Sequence, residues 1–215
     1  RDSLLGPVYL IFQEVLDPSE PAAGFLLNAH NDLMTHRNAA FSQPYYSRHP
    51  IVHLRRGEVK AFLKSYYNTM AALADRETYT FWEHYFGASP HKTHEEGWFL
   101  MDTRWMLWQE KERTLDLLPG VPRAWLEDGK RIELTNVATY FGPLSLRVTS
   151  RLEGQNRIDV EVACRSSHRP QTVTIRVPHP LGLKPARVTG GTYDSATERV
   201  RIESFSGSQR IELSY

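Results

Sequence analysis

The sequence has little of several features that would place a protein in a class at once. Its 215 residues contain one cysteine, Cys164, so an internal disulfide is excluded, and the strand-like run around it predicts a small buried thiol. No apolar run approaches the roughly 18 residues of a membrane span. The 26 Lys and Arg residues balance 25 Asp and Glu residues, so no bulk field attracts polyanions. Composition therefore predicts neither nucleic acid nor a membrane as a partner.

Motifs of several common catalytic chemistries are also missing. There is no Gly-x-Ser-x-Gly elbow, and Gly190-Gly191 indicates a turn rather than a phosphate-binding loop. The order His91-x-x-His94-Glu95 differs from the His-Glu-x-x-His pairing that places two imidazoles and a general base on one helix face. We therefore expect no metal and no cofactor.

The apolar pattern changes once along the chain. Periodicity predicts helices over 3–16, 21–34 and 58–74 and another from residue 93, with irregular structure over 35–56. After residue 128 the chain has about seven short runs with every second residue apolar, which is typical of antiparallel strands and favours a β-sandwich. The fold class predicted is α+β, with a helical domain over 1–115 and a strand domain over 116–215. Because residue 1 is not methionine, we expect the C-terminal part of a longer protein.

One stretch, residues 78–108, concentrates the chemistry. Acids and histidines lie there among bulky apolar side chains: Glu83, Glu95, Glu96, His84, His91 and His94. Aromatic faces cover the C–H surface of a sugar ring, while carboxylates and imidazoles bind or protonate its oxygens. The pattern predicts a carbohydrate-binding cleft in the helical part.

Two glutamates are the candidate catalytic residues. Glu83 follows Trp82 in an irregular segment that a sugar could approach, and the alternative is a solvated acid or an ion pair with Arg76 or Lys92. Glu95 falls in a first helical turn, where the helix dipole favours the charge a base needs, and the alternative is a surface acid.

The candidate substrate-binding residues are aromatic rings and imidazoles. For the tryptophans among them the alternative role is packing in the core. The set comprises Trp82, His91, His94, Trp98, and Tyr45 and Tyr46 from an aromatic loop over 41–50.

These motifs have a familiar order. A helical hairpin, Thr80-Phe-Trp-Glu83, Ser89-Pro-His91, Gly97-Trp98 and the linker Leu117-Leu-Pro-Gly-Val-Pro122 follow one another before an Ile-x-Leu strand. The succession resembles the C-terminal part of six-hairpin, (α/α)6-barrel glycosidases. The alpha-L-rhamnosidases are closest, and the alpha-L-fucosidases of the same barrel type are near relatives. The His-Glu-Glu-Gly-Trp segment differs from the rhamnosidase pattern.

The resemblance implies a role for each element. A Thr-x-Trp-Glu segment supplies the glutamate that activates water in an inverting hydrolysis, so Glu83 would be the general base. The general acid would come from a hairpin upstream of residue 1. Carbohydrate would be the substrate, and the upstream part of the same toroid or a homo-oligomer partner would complete the fold. A periplasmic or secreted location would follow for a bacterial enzyme that degrades polysaccharide, and a cytoplasmic one is also open.

Two rival functions fit the same residues. One is a carbohydrate-binding or scaffolding protein of the same fold without catalysis, which an aromatic cleft lacking a second carboxylate would favour. The other is a polysaccharide lyase, which would need a basic cleft, with Lys92, Arg48 and Arg55 as the residues to supply it.

Overall fold

The computed structural model describes residues 6–36, 39–40, 49–83 and 90–215. The chain forms two compact units, residues 1–106 and 107–215. Helices dominate the described part of the first unit, whereas the second is built from two mainly antiparallel sheets. The α+β class predicted from the sequence is confirmed.

The first unit contains helices and two very short strand pairs. The helices are α1 (Gly6–Phe12), α2 (Pro21–Met34), α3 (His49–Arg55), α4 (Val59–Leu73) and α5 (Thr93–Leu107), the last of which ends one residue inside the second unit. The strands β1 (Thr35–His36) and β2 (Ala39–Ala40) pair antiparallel, as do β3 (Ala74–Asp75) and β4 (Thr80–Phe81). Among the described residues, no helix is long and apolar enough to span a bilayer.

The helices form where the apolar repeat is longest. The bounds of α2 agree with the predicted 21–34, and α4 differs from the predicted 58–74 by one residue at each end. In α4 the stripe buries Phe62, Tyr66 and Leu73. The expectation of irregular structure through residue 56 is wrong for α3, because a seven-residue helix is too short to show a repeat.

Two adjacent arginines tie α3 to the chain around the end of α1. Arg55 donates from Nη1 to the carbonyl of Phe12 at 2.7 Å, and its guanidinium carbon lies 5.8 Å from the centre of that ring. Arg56 donates to the carbonyl of Pro18 and, at 2.8 Å, to Glu58. The bond from Arg55 satisfies a carbonyl that the end of α1 leaves without an intrahelical partner, and the bond from Arg56 holds the chain between α1 and α2.

The second unit contains two five-stranded sheets. The first has the order β12-β13-β10-β6-β5 and the second the order β11-β14-β9-β8-β7. Their strands are β5 (Trp108–Lys111), β6 (Thr114–Leu117), β7 (Arg131–Thr139), β8 (Gly142–Arg151), β9 (Arg157–Cys164), β10 (Thr172–Arg176), β11 (Arg187–Thr189), β12 (Thr192–Asp194), β13 (Arg199–Ile202) and β14 (Ser208–Ser214). A single 3-10 turn, Arg123–Leu126, precedes β7.

Strands β5 and β6 depart most from the sequence prediction. Both start before residue 116, where the strand domain was expected to begin, and β6 runs parallel to β10. Neither strand shows a long alternation of apolar residues, so they are recruited by pairing with each other and with β10. Long-range pairing of this kind is invisible in local periodicity.

The chain passes from one sheet to the other at Gly190-Gly191, between β11 and β12. A Cβ at Gly190 would lie 2.1 Å from the carbonyl oxygen of Arg210, and Gly190 has a φ of +84°. A Cβ at Gly191 would lie 2.8 Å from the carbonyl oxygen of Arg201. Only glycine allows so close an approach of three backbones at this crossing.

Candidate functional site

A tight turn between β3 and β4 shapes the centre of the candidate site. Asp75 accepts hydrogen bonds from the Glu77 amide at 2.9 Å and from the Thr78 hydroxyl at 2.7 Å. These bonds, that from the Thr78 side chain first, lower the pKa of Asp75. Tyr79 at the tip has a φ of 58° and an exposed ring. The short carboxylate thus holds the turn that leads into Trp82.

Three hydrogen bonds from backbone amides fix the segment around the end of β4 between two helices. The Trp82 amide donates to the Leu73 carbonyl at 2.8 Å, at the end of α4. The Lys92 amide donates to the Phe81 carbonyl at 3.0 Å, and the Phe81 amide donates to Glu96 in α5 at 3.4 Å. The segment that contains Trp82 and Glu83 therefore starts where hydrogen bonds link the end of α4 to the start of α5.

A hollow of about 570 Å³ opens beside this turn. Trp82 and His91, two of the predicted substrate-binding residues, lie in its wall. The other residues that line it are Ala74, Asp75, Arg76, Glu77, Thr78 and Pro90. His91 has a φ of 61°, a left-handed conformation that few non-glycine residues adopt. An aromatic face, an imidazole and carboxylates thus share one open space.

Glu83 lies at this segment but is held by a cation. Its Oε2 is 2.8 Å from Nζ of Lys92, and its side chain is 27% exposed. The structure thus contains the ion pair with Lys92 that the sequence offered as an alternative role. Glu83 is not among the described residues that line the hollow.

Glu95 and His94 form a second pair at the start of α5. Glu95 is fully buried, and Nε2 of His94 lies 3.0 Å from its Oε1. The alternative of a surface acid at Glu95 is therefore wrong. His94 is 44% exposed and so connects the buried carboxylate to the surface.

The remaining predicted aromatic residues are Trp98, Tyr45 and Tyr46. Trp98 packs edge-on against Phe12, with ring centres 5.3 Å apart, and against Trp105 at 6.4 Å. Packing was the alternative role for this ring. Tyr45 and Tyr46 lie outside the described residues.

The basic residues named for a lyase have other contacts. Lys92 pairs with Glu83, while Arg55 bonds to Phe12 and lies 3.5 Å from Glu14. Arg48 lies outside the described residues. In the part of the chain that the structure describes, no three His, Cys, Asp or Glu side chains converge as a metal site requires.

Asp102 is the residue that the sequence predictions missed. The buried residues of α5 are Glu95, Asp102 and Met106, so the face turned inward carries two acids. Burial raises the pKa of Asp102 well above its usual value. Its Oδ1 has no hydrogen-bond partner among the described residues. A spacing of seven residues, two helical turns, was the signal that Asp102 shares the face of Glu95.

Replacing Asp102 with Asn should remove a pH-dependent penalty on folding. Above about pH 4 the unfolded chain loses a proton that the buried carboxyl retains, because the folded pKa is the higher one. The contribution of Asp102 is therefore complete below that pH and declines toward the folded pKa, by about 1.4 kcal/mol per pH unit. Since an amide does not titrate, the stability of Asp102→Asn relative to wild type should increase over this window.

Urea unfolding followed by the helical circular dichroism signal, at several pH values from about 4 to 8, measures this difference. Asp75→Asn is the matched control, and its stability relative to wild type should stay nearly constant over this range. The pKa of Asp75 is lowered in the folded state, so its contribution is present above the unfolded pKa and lost as the pH falls. A relative stability of Asp102→Asn that stays constant with pH would contradict the assignment of a protonated buried carboxyl.

Comparisons with known proteins identify no family for this chain. No protein-family model matches it, and no curated protein matches it. Among solved structures, a GH127 beta-L-arabinofuranosidase from Geobacillus stearothermophilus T6 is similar with a TM-score of 0.38 and 10% identity. The match covers 81% of this chain and 32% of that one, so the chain spans about a third of the length of that enzyme. A likeness this distant carries no weight for function.

Proposed function

We propose that this chain is the C-terminal part of a glycoside hydrolase that cleaves plant or microbial polysaccharide. The helices of the first unit would be the last hairpins of an (α/α)6 toroid, and the two sheets would form a β-sandwich. In this proposal Glu83 activates water as the general base of an inverting hydrolysis. The general acid would lie on an earlier hairpin of the toroid.

The observation that carries the proposal is the hollow beside the β3–β4 turn. An indole and an imidazole line it, and Glu83 is the residue next to that indole. A sugar ring presents an apolar C–H face and several hydroxyl groups, which match Trp82 and His91 respectively. The hydrogen bonds from Trp82 to the end of α4 and from Lys92 to β4 hold this segment in place.

The pair formed by Glu83 and Lys92 supports the role of a base. A general base must be ionised, and an ammonium 2.8 Å away stabilises the charged carboxylate. At the start of α5, Nε2 of His94 lies 3.0 Å from Oε1 of the buried Glu95. In this proposal Glu95 orients His94, and His94 helps to bind the substrate. The lysine would have to leave the carboxylate oxygen that receives the proton of water.

The same ion pair favours a second candidate function. If Lys92 remained on Glu83 when sugar is bound, the carboxylate would serve to orient the lysine rather than to activate water. The protein would then bind carbohydrate without cleaving it. The two functions differ in turnover, while both require the hollow to hold a sugar.

Trp82→Ala tests the hollow itself. We expect the affinity for an oligosaccharide ligand to fall about tenfold, since a lost aromatic contact costs about 1–1.5 kcal/mol. The ligand is first found by screening the natural protein against a panel of plant and microbial polysaccharides, with binding by calorimetry and hydrolysis by release of reducing ends. Trp125→Ala is the matched control, because that indole is 37% exposed on the 3-10 turn of the second unit.

Equal affinity in the Trp82 and Trp125 variants would contradict both candidate functions. Affinity that falls about tenfold only in Trp82→Ala, together with turnover by wild type, supports the hydrolase. Binding without turnover on any of the polysaccharides that bind supports the carbohydrate-binding protein.

A further inference from the structure

The second five-stranded sheet has one buried and one charged face. In β9 the side chains of Ile158, Val160, Val162 and Cys164 are buried, and those between them point the other way. The opposite face of β7, β8, β9 and β14 carries alternating long charged side chains. They are Arg131, Glu133, Arg147, Arg151, Arg157, Asp159, Glu161, Arg210 and Glu212.

Strand register arranges these charges in a row with alternating signs. Arg210 of β14 is opposite Glu161 of β9, Glu161 is opposite Arg147 of β8, and Arg147 is opposite Glu133 of β7. Neighbouring charged atoms lie 3.2, 3.8 and 2.8 Å apart along that row. The order across the four strands is therefore plus, minus, plus, minus.

The next row along the strands has opposite charges at its two ends. Glu212 is opposite Asp159, Asp159 is opposite Thr149, and Thr149 is opposite Arg131. Its order is minus, minus, neutral, plus. In the first row, both pairs at equal distances from the line between β8 and β9 have opposite charges. In the second row, the outer pair does.

This antisymmetry is the condition for two copies of one surface to attract each other. A two-fold axis that lies in the face and runs along the strands between β8 and β9 reverses each row. Arg210 of one copy then meets Glu133 of the other, and Glu161 meets Arg147. In the second row Glu212 meets Arg131. We propose that this face is a self-association surface, on which a second copy of the chain binds about that axis.

The surface has room for the side chains of a second copy. Hollows of about 550 Å³ and 420 Å³ lie between its charged groups, and Arg210 is 85% exposed. The two rows over four strands cover roughly 260 Å² per copy at a strand spacing of about 4.8 Å and a row spacing of about 6.8 Å. A third row places Arg157 against Arg151 of the other copy, which opposes binding. The dimer should therefore be weak and sensitive to salt.

Charge reversal across the axis gives a specific test. In Arg210→Glu, a glutamate at position 210 faces Glu133 of the second copy. In Glu133→Arg, an arginine at position 133 faces Arg210 of the second copy. Each variant alone should repel itself, whereas an equal mixture restores every opposite-charge pair across the axis. We expect the mixture to form heterodimers at concentrations at which each variant alone is a monomer.

Sedimentation velocity of the 215-residue chain, up to a few hundred micromolar, measures the association at low and high salt. Wild type should dimerise at low salt and dissociate at high salt, and Lys184→Glu, an exposed charge reversal outside the rows, should behave as wild type. Circular dichroism checks that each variant is folded. A monomeric wild type at low salt overturns the proposal. Equal dimerisation by the two variants alone and in mixture does so as well.

Discussion

Under the proposed hydrolase function, Glu83→Gln is expected to lower kcat on a polysaccharide substrate by about a thousandfold, with little change in KM. General-base catalysis contributes about 10²–10⁴ in rate, and glutamine retains the shape and hydrogen-bonding oxygen of glutamate without a basic site. The substitution also removes the charge that Lys92 pairs with at 2.8 Å. Because that pair is partly exposed, its loss should cost about 1 kcal/mol of stability or less.

The control for this variant is Glu20→Gln, an exposed acid just before α2. It makes the same chemical change in the same unit and should leave kcat unchanged. Thermal unfolding of both variants separates loss of catalysis from loss of folding. Retention of kcat within tenfold in Glu83→Gln would exclude this residue as the base and would require another group to activate water.

The parts of the fold that the sequence predicted are those in which a local repeat coincides with burial. In α4 the apolar stripe and the buried face agree, so its bounds could be found from the residues alone. β8 and β9 alternate over their full length between buried and more exposed positions. The parallel pairing of β6 with β10 joins segments more than 50 residues apart. No periodicity within either segment can encode that partner.

That Trp82 and His91 lie in one hollow could be anticipated for a different reason. Trp82 and His91 belong to the densest cluster of aromatic and titratable residues, and the β3–β4 turn brings both to one hollow. The sequence prediction missed Asp102 because α5 does not follow the usual pattern of a surface helix. It buries Glu95 and Asp102 while Leu100 is 68% exposed. The apolar residues of α5 alone therefore do not mark its buried face.

Arg176→Ala should destabilise the second unit by about 3–5 kcal/mol, the usual cost of removing one partner from a buried ion pair. Arg176 is only 6% exposed. It donates to the Val121 carbonyl at 3.0 Å and to Glu198 at 3.0 Å. Burial lowers the pKa of Arg176, which marks the cost of holding this cation away from water, while Glu198 opposes that shift. Removing the guanidinium deprives the Val121 carbonyl and the Glu198 carboxylate of this hydrogen-bond donor.

A second arginine also neutralises the carboxylate of Glu198. Arg123 lies 2.6 Å from the other oxygen of Glu198 and also donates to the His179 carbonyl at 2.7 Å. Arg123 is 40% exposed, so it cannot replace the buried contact with Val121. If Arg123 shifts toward Glu198, it offsets part of the lost charge interaction. The loss of stability in Arg176→Ala should then be near the lower end of the range.

Urea unfolding monitored by tryptophan fluorescence and by the sheet signal in circular dichroism measures this loss. Arg201→Ala is the matched control, since Arg201 pairs with Glu203 on the surface and should cost less than about 1 kcal/mol. The double variant Arg176→Met with Glu198→Leu should recover most of the stability, because two apolar side chains need no counter-charge. A cost of Arg176→Ala no larger than that of Arg201→Ala would mean that water reaches Glu198 and that the pair is not buried in solution.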